Sequence, residues 1–245
     1  MRIAGWHKCS FVDYPGKIAA TIFCSGCNMR CYFCHNRMAL VDSPLAAPIS
    51  EEQVISFLKA KRSLLDGVVL TGGEPTIQDG LEAFLRQVRK LRLAIKIDTN
   101  GTDPFCLASL IDHHLVDYIA LDLKGPPEKL TAITGVDYQI EALTNSIALV
   151  MNSYIEQEFR ITVLPEFSLD DVLVCAKLAF GARRLVLQQF QKPDVIPEAN
   201  GTSRNWNPHP ASFFLALQRE LRDNFEEIIL RNVDLRENPH KPHPT

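Results

Sequence analysis

Short apolar runs that alternate with helical patterns constrain the fold of this chain more than any other feature of its sequence. Six runs are rich in β-branched residues and are predicted to be strands: 18–23, 67–71, 94–99, 118–123, 158–163 and 184–190. Helical patterns lie between them, with Ser50 and Gln53 as a predicted capping box, Thr76 and Ser168 as predicted caps, and a last helix over 211–225. Strands that alternate with helices indicate parallel βαβ units in a sheet covered on both faces.

The size and charge of the chain narrow the class of protein. With 245 residues, 46% hydrophobic and 22% charged, the chain can bury a full core. Because no linker or repeat divides it, we predict one domain over 1–235 and a flexible tail over 236–245. The formal net charge of −3 and the scattered Lys and Arg residues argue against direct nucleic-acid binding. The sequence shows no signal peptide or apolar stretch of membrane-spanning length, so we expect no membrane partner and a cytoplasmic location.

Cysteines are concentrated in the loop that follows the first predicted strand. The segment has the spacing Cys27-x-x-x-Cys31-x-x-Cys34, and Cys24 lies just before it. Clustered thiols in a reducing compartment usually hold a metal. A structural zinc would need a fourth ligand, either Cys24 or His35, and the reach of His35 is awkward. Three ligands instead describe a 4Fe–4S cluster with one open iron, which is the interpretation we favour, without Cys24. The isolated cysteines are expected to be small buried side chains: Cys9, Cys106 and Cys175.

The cysteine segment resembles a known signature. With aromatic Phe33 before the last cysteine, it is similar to the CxxxCx(aromatic)C pattern of the radical S-adenosylmethionine (SAM) superfamily. More narrowly, residues 13–36 (DYPGKIAATIFCSGCNMRCYFCHN) resemble the activating enzymes of glycyl radical enzymes, in which a DxPG loop, a strand and a cluster loop ending in CHN follow in this order. The resemblance implies an α/β fold, a partial (β/α)6 TIM-like barrel that is open on one side. It also implies a single cluster, because residues 35–66 contain no further cysteine.

Three other segments follow predicted strands, and parallel topology gathers the carboxyl ends of such strands on one rim. Residues 71–75 (TGGEP) form an ordinary turn if taken alone, although two adjacent glycines also let a ligand approach the backbone. Residues 98–101 (DTNG) are likewise a common turn by themselves. Period-two alternation points Asp122 and Lys124 to the same side, where they form either a structural ion pair or part of a site.

The resemblance implies a role for each of these segments. In relatives the GGEP segment binds the amino group of SAM, and the DTNG and DxK segments lie beside the cofactor. By residue-wise match, Lys124 would contact SAM, while Asp98, Thr99 and Asp122 would help to hold a monovalent cation near its carboxylate. The positions expected to contact the cofactor are Phe33, His35, Gly72, Gly73, Glu74, Asp98, Asn100, Asp122, Lys124, Arg160 and Gln189.

Two of these positions, Arg160 and Gln189, also allow other interpretations. Arg160 on the fifth predicted strand matches an arginine that faces the cavity in relatives, but a solvated or packing arginine explains it equally well. Some relatives carry a histidine near the end of the sixth strand, where it touches the adenosyl group. This chain has Gln188, Gln189 and Phe190 there, so its adenosyl contact departs from the family pattern.

The implied function is radical chemistry on a partner protein. The enzyme would use one 4Fe–4S cluster and SAM to make a 5′-deoxyadenosyl radical and generate a glycyl radical, with electrons from a donor such as flavodoxin or ferredoxin. Within this class, the chain most resembles the proteins that activate anaerobic ribonucleoside-triphosphate reductase, so this reductase is the expected partner. The alternative partner within the class is pyruvate formate-lyase. From other classes, an iron–sulfur electron carrier and a zinc-stabilised binding protein are alternatives, but neither explains the three rim segments.

A contact with the partner is expected from the segment before the first predicted strand. Residues 10–17 could fold across the mouth of the barrel, and in relatives the aspartate that matches Asp13 lies near the bound glycyl loop. Asp13 is therefore expected to touch the partner. The alternative is a turn aspartate ahead of Tyr-Pro-Gly.

Overall fold

A computed structural model describes residues 1–36, 49–137, 139–192 and 206–236. The chain divides into two compact units. The first unit comprises Met1–Arg30, Cys34–Leu121 and Gln139–Gln157, and the second comprises Cys31–Phe33, Asp122–Tyr138 and Glu158–Thr245. Most of the tail predicted over 236–245 lies outside the described residues. None of the helices in the described ranges has the length and apolar character needed to cross a membrane.

The first unit holds five strands in sequence order. Strand β1 (Ile3–Ser10) pairs antiparallel with β2 (Ala19–Cys24), while β3 (Gly67–Gly72), β4 (Ala94–Thr99) and β5 (Tyr118–Asp122) continue the sheet in parallel, the last residue of β5 falling in the second unit. The helices of this unit are α1 (Glu51–Lys61), α2 (Leu81–Lys90), α3 (Pro104–Asp112) and α5 (Ile140–Met151). This order of strands and helices is the parallel βαβ arrangement predicted from the sequence.

The second unit contains the remaining strands and helices. Strand β6 (Glu156–Val163), whose first two residues belong to the first unit, pairs parallel with β7 (Arg184–Gln189), and β7 pairs parallel with β8 (Glu227–Arg231). The helices are α4 (Leu130–Thr134), α6 (Leu169–Lys177) and α7 (Ala211–Leu221). The six predicted strands correspond to β2 through β7. Strands β1 and β8 were not predicted.

The two faces of the first sheet have different environments. On one face the apolar side chains of β2, β3 and β4 are buried without exposure, as Ile22, Leu70 and Ile97 show. On the other face a small buried cluster forms from Ala19, Val69, Tyr118 and Ala120, and Tyr14 packs against it. The rings of Tyr14 and Tyr118 meet edge to face at 5.7 Å.

Local hydrogen bonds explain where the helices begin. Both the Ser50–Gln53 capping box and the predicted cap at Ser168 are present, the latter as a box with Asp171. The predicted cap at Thr76 is wrong, because α2 begins after Gly80, which has a left-handed backbone conformation. Thr76 lies in a short 3-10 turn, and its N–H and hydroxyl both donate to Glu74.

Candidate active site

The three motif cysteines lie in an irregular loop after β2. None of the three forms a disulfide among the described residues; Cys31 is buried, and Cys27 and Cys34 are partly buried. The sulfur of Cys27 accepts a hydrogen bond of 3.4 Å from the backbone N–H of Met29 and lies 4.0 Å from Nδ2 of Asn100. Donors of this kind stabilise a thiolate and tune a metal centre bound to it.

The thiols of this loop fit a cluster by their chemistry. No group of three His, Cys, Asp or Glu side chains in the described ranges is arranged to hold a single metal ion. The thiolates of a 4Fe–4S cluster bind different iron atoms, so they lie farther apart than the ligands of one ion. Three cysteine donors suit a cluster with one open iron, whereas a closed zinc site needs four ligands.

Cys24 differs from the motif cysteines because it is fully buried. Burial, reinforced by the nearby charge of Glu74, raises the pKa of its thiol to about 12. A thiol that keeps its proton is a poor metal ligand. This environment supports the prediction that Cys24 does not bind the cluster. Of the isolated cysteines, Cys175 is buried as expected, but Cys9 is exposed and Cys106 is only partly buried.

The chain just before Cys27 is held by three successive backbone carbonyls. The carbonyl of Cys24 accepts from the N–H of Gly73 at 2.9 Å, and the carbonyl of Gly26 accepts from the N–H of Glu74 at 2.9 Å. Between them, the carbonyl of Ser25 accepts from Nε2 of Gln78 at 2.8 Å. Residues 24–26 are thus fastened to the segment that follows β3.

The two glycines of the GGEP segment are required by this close packing. A Cβ on Gly73 would lie 1.8 Å from the carbonyl oxygen of Gly26, and one on Gly72 would lie 2.7 Å from the backbone nitrogen of Cys24. Gly72 also has a φ of +101°, which disfavours other residues. The sequence suggested that these glycines admit a ligand. In the structure, the backbone of the chain itself approaches them: the end of β2 lies against Gly72, and the start of the cysteine loop lies against Gly73.

Glu74 is buried and its carboxylate is fully engaged by the protein. Oε1 accepts from the N–H and hydroxyl of Thr76 and from the hydroxyl of Thr99, and Oε2 accepts from the N–H of Asn100 at 2.8 Å. Burial raises the pKa of Glu74, and these hydrogen bonds oppose the shift. The side chain therefore positions the ends of β3 and β4 rather than facing a ligand.

Asn100 connects the DTNG segment to the cysteine loop. Its Nδ2 donates to Oδ1 of Asn28 at 2.8 Å, and its Oδ1 accepts from the N–H and hydroxyl of Thr102. Asn28 in turn donates to the Thr102 hydroxyl at 2.7 Å. Because Asn28 follows Cys27 directly, this triangle of polar side chains fixes the loop from a second direction.

Sequence reasoning missed two residues of this unit. Gln78 is buried, and besides its bond to Ser25 it accepts from the N–H of Arg2 at 3.2 Å. Lys96 on β4 is 2% exposed and forms an ion pair with Asp98. A signal for Lys96 was present in the sequence, since period-two alternation places Lys96 and Asp98 on one side of the strand. Gln78 gave no such signal.

A chain of alternating charges lies in the second unit. Asp122 accepts from Nζ of Lys124 at 2.9 Å and from Nε of Arg160 at 2.6 Å. Arg160 approaches Glu158 at 3.8 Å, and Arg231 on β8 approaches Glu158 at 3.4 Å. Glu158 is 1% exposed, so its charge is compensated within the protein. The predicted same-side placement of Asp122 and Lys124 is present, and Arg160 joins them.

The charges of this chain are strongly coupled. Burial alone would raise the pKa of Asp122, but the charges of Arg160 and Lys124 hold it well below its usual range. Burial alone would lower the pKa of Lys124, but Asp122 and the nearby Cys31 raise it. Lys124 therefore keeps its positive charge. A charged ammonium forms a stronger hydrogen bond with a carboxylate than a neutral amine does.

Aromatic side chains accompany these charges in the second unit. The ammonium of Lys124 lies 6.0 Å from the ring centre of Phe33, which packs edge to face with Tyr32. The ring of Phe190 stacks on Trp206 at 5.9 Å. Trp206 was not singled out from the sequence, because it belongs to no motif.

The remaining predicted contacts have mixed environments. Gln189 donates to the carbonyl of His209 at 2.7 Å, while its buried Oε1 has no hydrogen-bond partner among the described residues and can accept from a ligand. His35 is exposed. Thr99 is buried with its hydroxyl directed to Glu74.

Asp13 lies in a segment that packs differently from the expectation. Tyr14 contacts the residues at the amino ends of β2 and β5, so the expectation that 10–17 crosses the carboxyl-end mouth is wrong. The ring of Tyr14 is buried in the apolar cluster at that end of the sheet. The carboxylate of Asp13 accepts from the hydroxyl of buried Thr21 at 2.6 Å.

Comparison with known proteins places the chain in one superfamily. The sequence profile of the Radical SAM superfamily matches residues 21–179. A protein of Methanocaldococcus jannaschii, named as a glycyl-radical enzyme activating enzyme, is 32% identical over 203 residues, covering 80% of this chain and 82% of that protein. Pyruvate formate-lyase 1-activating enzyme of Escherichia coli K12 is 28% identical over 186 residues, covering 69% of this chain and 70% of that one.

A solved structure has the same fold. SuiB of Streptococcus suis, crystallised with S-adenosylmethionine, superposes with a TM-score of 0.62 at 15% identity over 85% of this chain. This chain corresponds to only 49% of the length of SuiB. The likeness confirms the α/β fold class predicted from the sequence, that of the partial barrels of radical SAM proteins.

Proposed function

The chain belongs to the radical SAM superfamily, and from that premise we propose that it generates a glycyl radical on anaerobic ribonucleoside-triphosphate reductase. Its cofactors are a 4Fe–4S cluster and SAM, and it is a SAM-dependent radical enzyme. Membership of this superfamily argues against the electron-carrier and zinc-binding alternatives.

One observation carries the proposal of glycyl radical activation. The M. jannaschii relative, named for that activity, matches this chain over most of both lengths. A reductase as the partner is supported by the absence of cysteine from residues 35–66 and by the stretch SFVDYPGK at 10–17, features similar to activating proteins of such reductases. Pyruvate formate-lyase is the second candidate because its activating enzyme in E. coli also matches.

The residues of the chain divide the work of holding and orienting the cofactors. When bound, the cluster and SAM supply a radical that removes a hydrogen atom from the target glycine. Cys27, Cys31 and Cys34 would hold the cluster through their thiolates. Lys124, kept charged by Asp122, offers its ammonium to the SAM carboxylate, a charge-assisted hydrogen bond.

Arg160 and Gln189 contribute in different ways. Arg160 shares the carboxylate of Asp122, so it fixes the side chain that orients Lys124. The buried acceptor of Gln189 suits a donor on the adenosyl group. In this proposal, the amide of Gln189 on β7 takes the place of the histidine that some relatives carry on the corresponding strand.

The glycine of the partner has to reach the radical directly. The target glycine would have to be held directly beside the bound cofactor, because hydrogen-atom removal needs close and oriented approach of the reacting groups. The partner must therefore insert the loop that carries this glycine. Because segment 10–17 packs at the amino ends of β2 and β5, Asp13 is the proposed contact with the partner's surface away from that loop. Its neighbours Phe11 and Val12 are 74% and 83% exposed and present apolar surface beside a carboxylate.

The experiment that tests the function offers both partners to the same enzyme. Reconstituted protein is mixed anaerobically with SAM, a reductant and either anaerobic ribonucleotide reductase or pyruvate formate-lyase, and the glycyl radical is read by electron paramagnetic resonance. A radical signal on the reductase alone is expected. A radical signal on pyruvate formate-lyase alone would overturn the proposed partner and identify the lyase instead. SAM cleavage with no radical on either would overturn glycyl radical activation.

Asp13 is tested in the same assay. Asp13→Ala should keep the cluster and partner-free SAM cleavage but lower radical yield on the partner. Thr21→Val, which removes the hydrogen-bond donor to Asp13 while preserving shape, serves as the matched control. If Asp13→Ala gives the wild-type yield, the residue is a turn aspartate only.

A further inference from the structure

The pair Lys96 and Asp98 occupies a position where a metal cation was expected. The two residues are alternate positions of β4, so their side chains leave the same face of the strand. The side chain of Lys96 is 2% exposed and that of Asp98 is 14% exposed, and the ammonium contacts Oδ1 of the carboxylate. The charge on Asp98 is therefore already compensated inside the protein.

The path of the Lys96 side chain fixes where its charge lies. Its strand neighbours in register are Val69 on β3 and Tyr118 on β5, both members of the buried apolar cluster. The ammonium lies 5.7 Å from the ring centre of Tyr118. An aromatic face attracts a cation, and the apolar surroundings discourage water from separating the ion pair.

The other expected ligands of a monovalent cation are also engaged. Thr99 points to the opposite face of β4 from Asp98, and its hydroxyl donates to Glu74 at 2.7 Å. Asp122 is paired with Lys124 and Arg160 within its own unit. The residues present do not fit a sodium or potassium ion at Asp98, because that ion would lie beside a buried ammonium of the same charge.

We propose that the ammonium of Lys96 supplies the positive charge at Asp98, so that this chain needs no monovalent metal cation there. Lys96 is a positioning residue, because it acts through Asp98 and the DTNG segment. The link to SAM rests on the proposed function, whereas the exchange of a metal ion for a side chain is a property of the protein without cofactors.

The first test measures thermal unfolding of the protein before cluster reconstitution. Chlorides of potassium, sodium, ammonium and tetramethylammonium are compared at constant ionic strength, since the last ion is too large for a buried site. The wild-type midpoint should be the same in all four salts. A saturable rise of the wild-type midpoint with potassium or sodium, abolished by Asp98→Asn, would overturn the proposal.

The second test removes the ammonium. Lys96→Met leaves Asp98 without this partner, and its midpoint in tetramethylammonium should fall by roughly 6–20 °C. Potassium or ammonium should restore part of the loss with saturation. The double variant Lys96→Met with Asp98→Asn should not respond. A folded Lys96→Met protein without a saturable response would count against the proposal; if that variant does not fold, the wild-type salt series decides.

A third measurement connects the pair to the cofactor. Calorimetric SAM affinity of the reconstituted wild type should change less than about twofold when tetramethylammonium replaces potassium, a difference below about 0.4 kcal/mol. Lys96→Arg, which keeps the charge, should behave as the wild type does. Failure of glycyl radical formation with both partners would remove the proposed function and leave the salt results standing, so the two outcomes are distinguishable.

Discussion

Oε2 of Glu74 accepts a 2.8 Å hydrogen bond from the backbone N–H of Asn100, which ties the segment after β3 to the segment after β4. All four hydrogen bonds to this carboxylate come from N–H or O–H groups of the protein. A glutamine in its place would turn its NH2 group, which is also a donor, toward one set of these donors. Glu74→Gln should lower the free energy of unfolding by about 1–3 kcal/mol. Denaturant unfolding checks this, with exposed Glu220→Gln as the control.

The packing of Gly73 against the cysteine loop predicts a loss of iron. A Cβ at this position would lie 1.8 Å from the carbonyl oxygen of Gly26, and a backbone atom cannot move aside as a side chain can. Gly73→Ala should therefore displace residues 24–26 and reduce iron and sulfide after anaerobic reconstitution. Gly5→Ala is the matched control, since a Cβ on Gly5 meets nothing within 4 Å. Equal iron content in both variants would contradict the packing argument.

The buried thiol of Cys24 predicts a clear contrast with Cys27. Cys24→Ala should keep nearly the full iron content, because a thiol with a pKa of about 12 stays protonated. Cys27→Ala should lose the cluster, as judged by its visible absorbance and by iron analysis. The reverse pattern would move the ligand assignment to Cys24.

Lys124 is expected to serve the cofactor rather than the fold. Lys124→Ala would remove the proposed charge-assisted hydrogen bond to SAM; a bond of ~1.5–3 kcal/mol corresponds to a loss of affinity of roughly 10- to 150-fold. Calorimetry on the reconstituted protein measures it, and exposed Lys177→Ala on α6 provides the control. Unchanged affinity would remove Lys124 from the site.

The ion pairs of Asp122 predict a pH-dependent contribution to stability. Its pKa is held below the usual value, so the folded state favours the ionised form and the contribution is present above the unfolded pKa of about 4. Asp122→Asn should cost ~1.5–3 kcal/mol at pH 7. The difference between wild type and variant should shrink as the pH falls below 4, in chemical denaturation series at several pH values. A constant difference would show that the side chain acts through packing alone.

Patterns between near neighbours explain which parts of the fold could be predicted. The alternating runs identified β2 through β7, and the Ser50–Gln53 capping box and the cap at Ser168 were readable because capping involves residues close in sequence. Strand β1 was missed because IAGWHKCS mixes glycine and charge with apolar residues and is half exposed. Strand β8 was missed because EIILR is short and follows closely on a helical pattern.

The candidate site was predictable in its membership but not in its contacts. The motifs identified Glu74 and Gly73, yet the donors to Glu74 include Thr99 and Asn100, which are distant in sequence. Lys96 shows the opposite case, since a lysine within the apolar run AIKIDT indicates a buried charge that needs a partner, and alternation along the strand indicates Asp98. Contacts between distant segments depend on how strands are placed side by side, which a single sequence does not state.

The carbonyls of Cys24, Ser25 and Gly26 each accept a hydrogen bond from the segment 73–78, so the strand-proximal end of the cysteine loop is positioned by contacts of the protein itself. Metal centres commonly couple their binding to folding, and a site that is already ordered avoids part of that entropic cost. For residues 24–26, these hydrogen bonds lower the conformational entropy that remains to be lost when the following cysteines bind a metal centre.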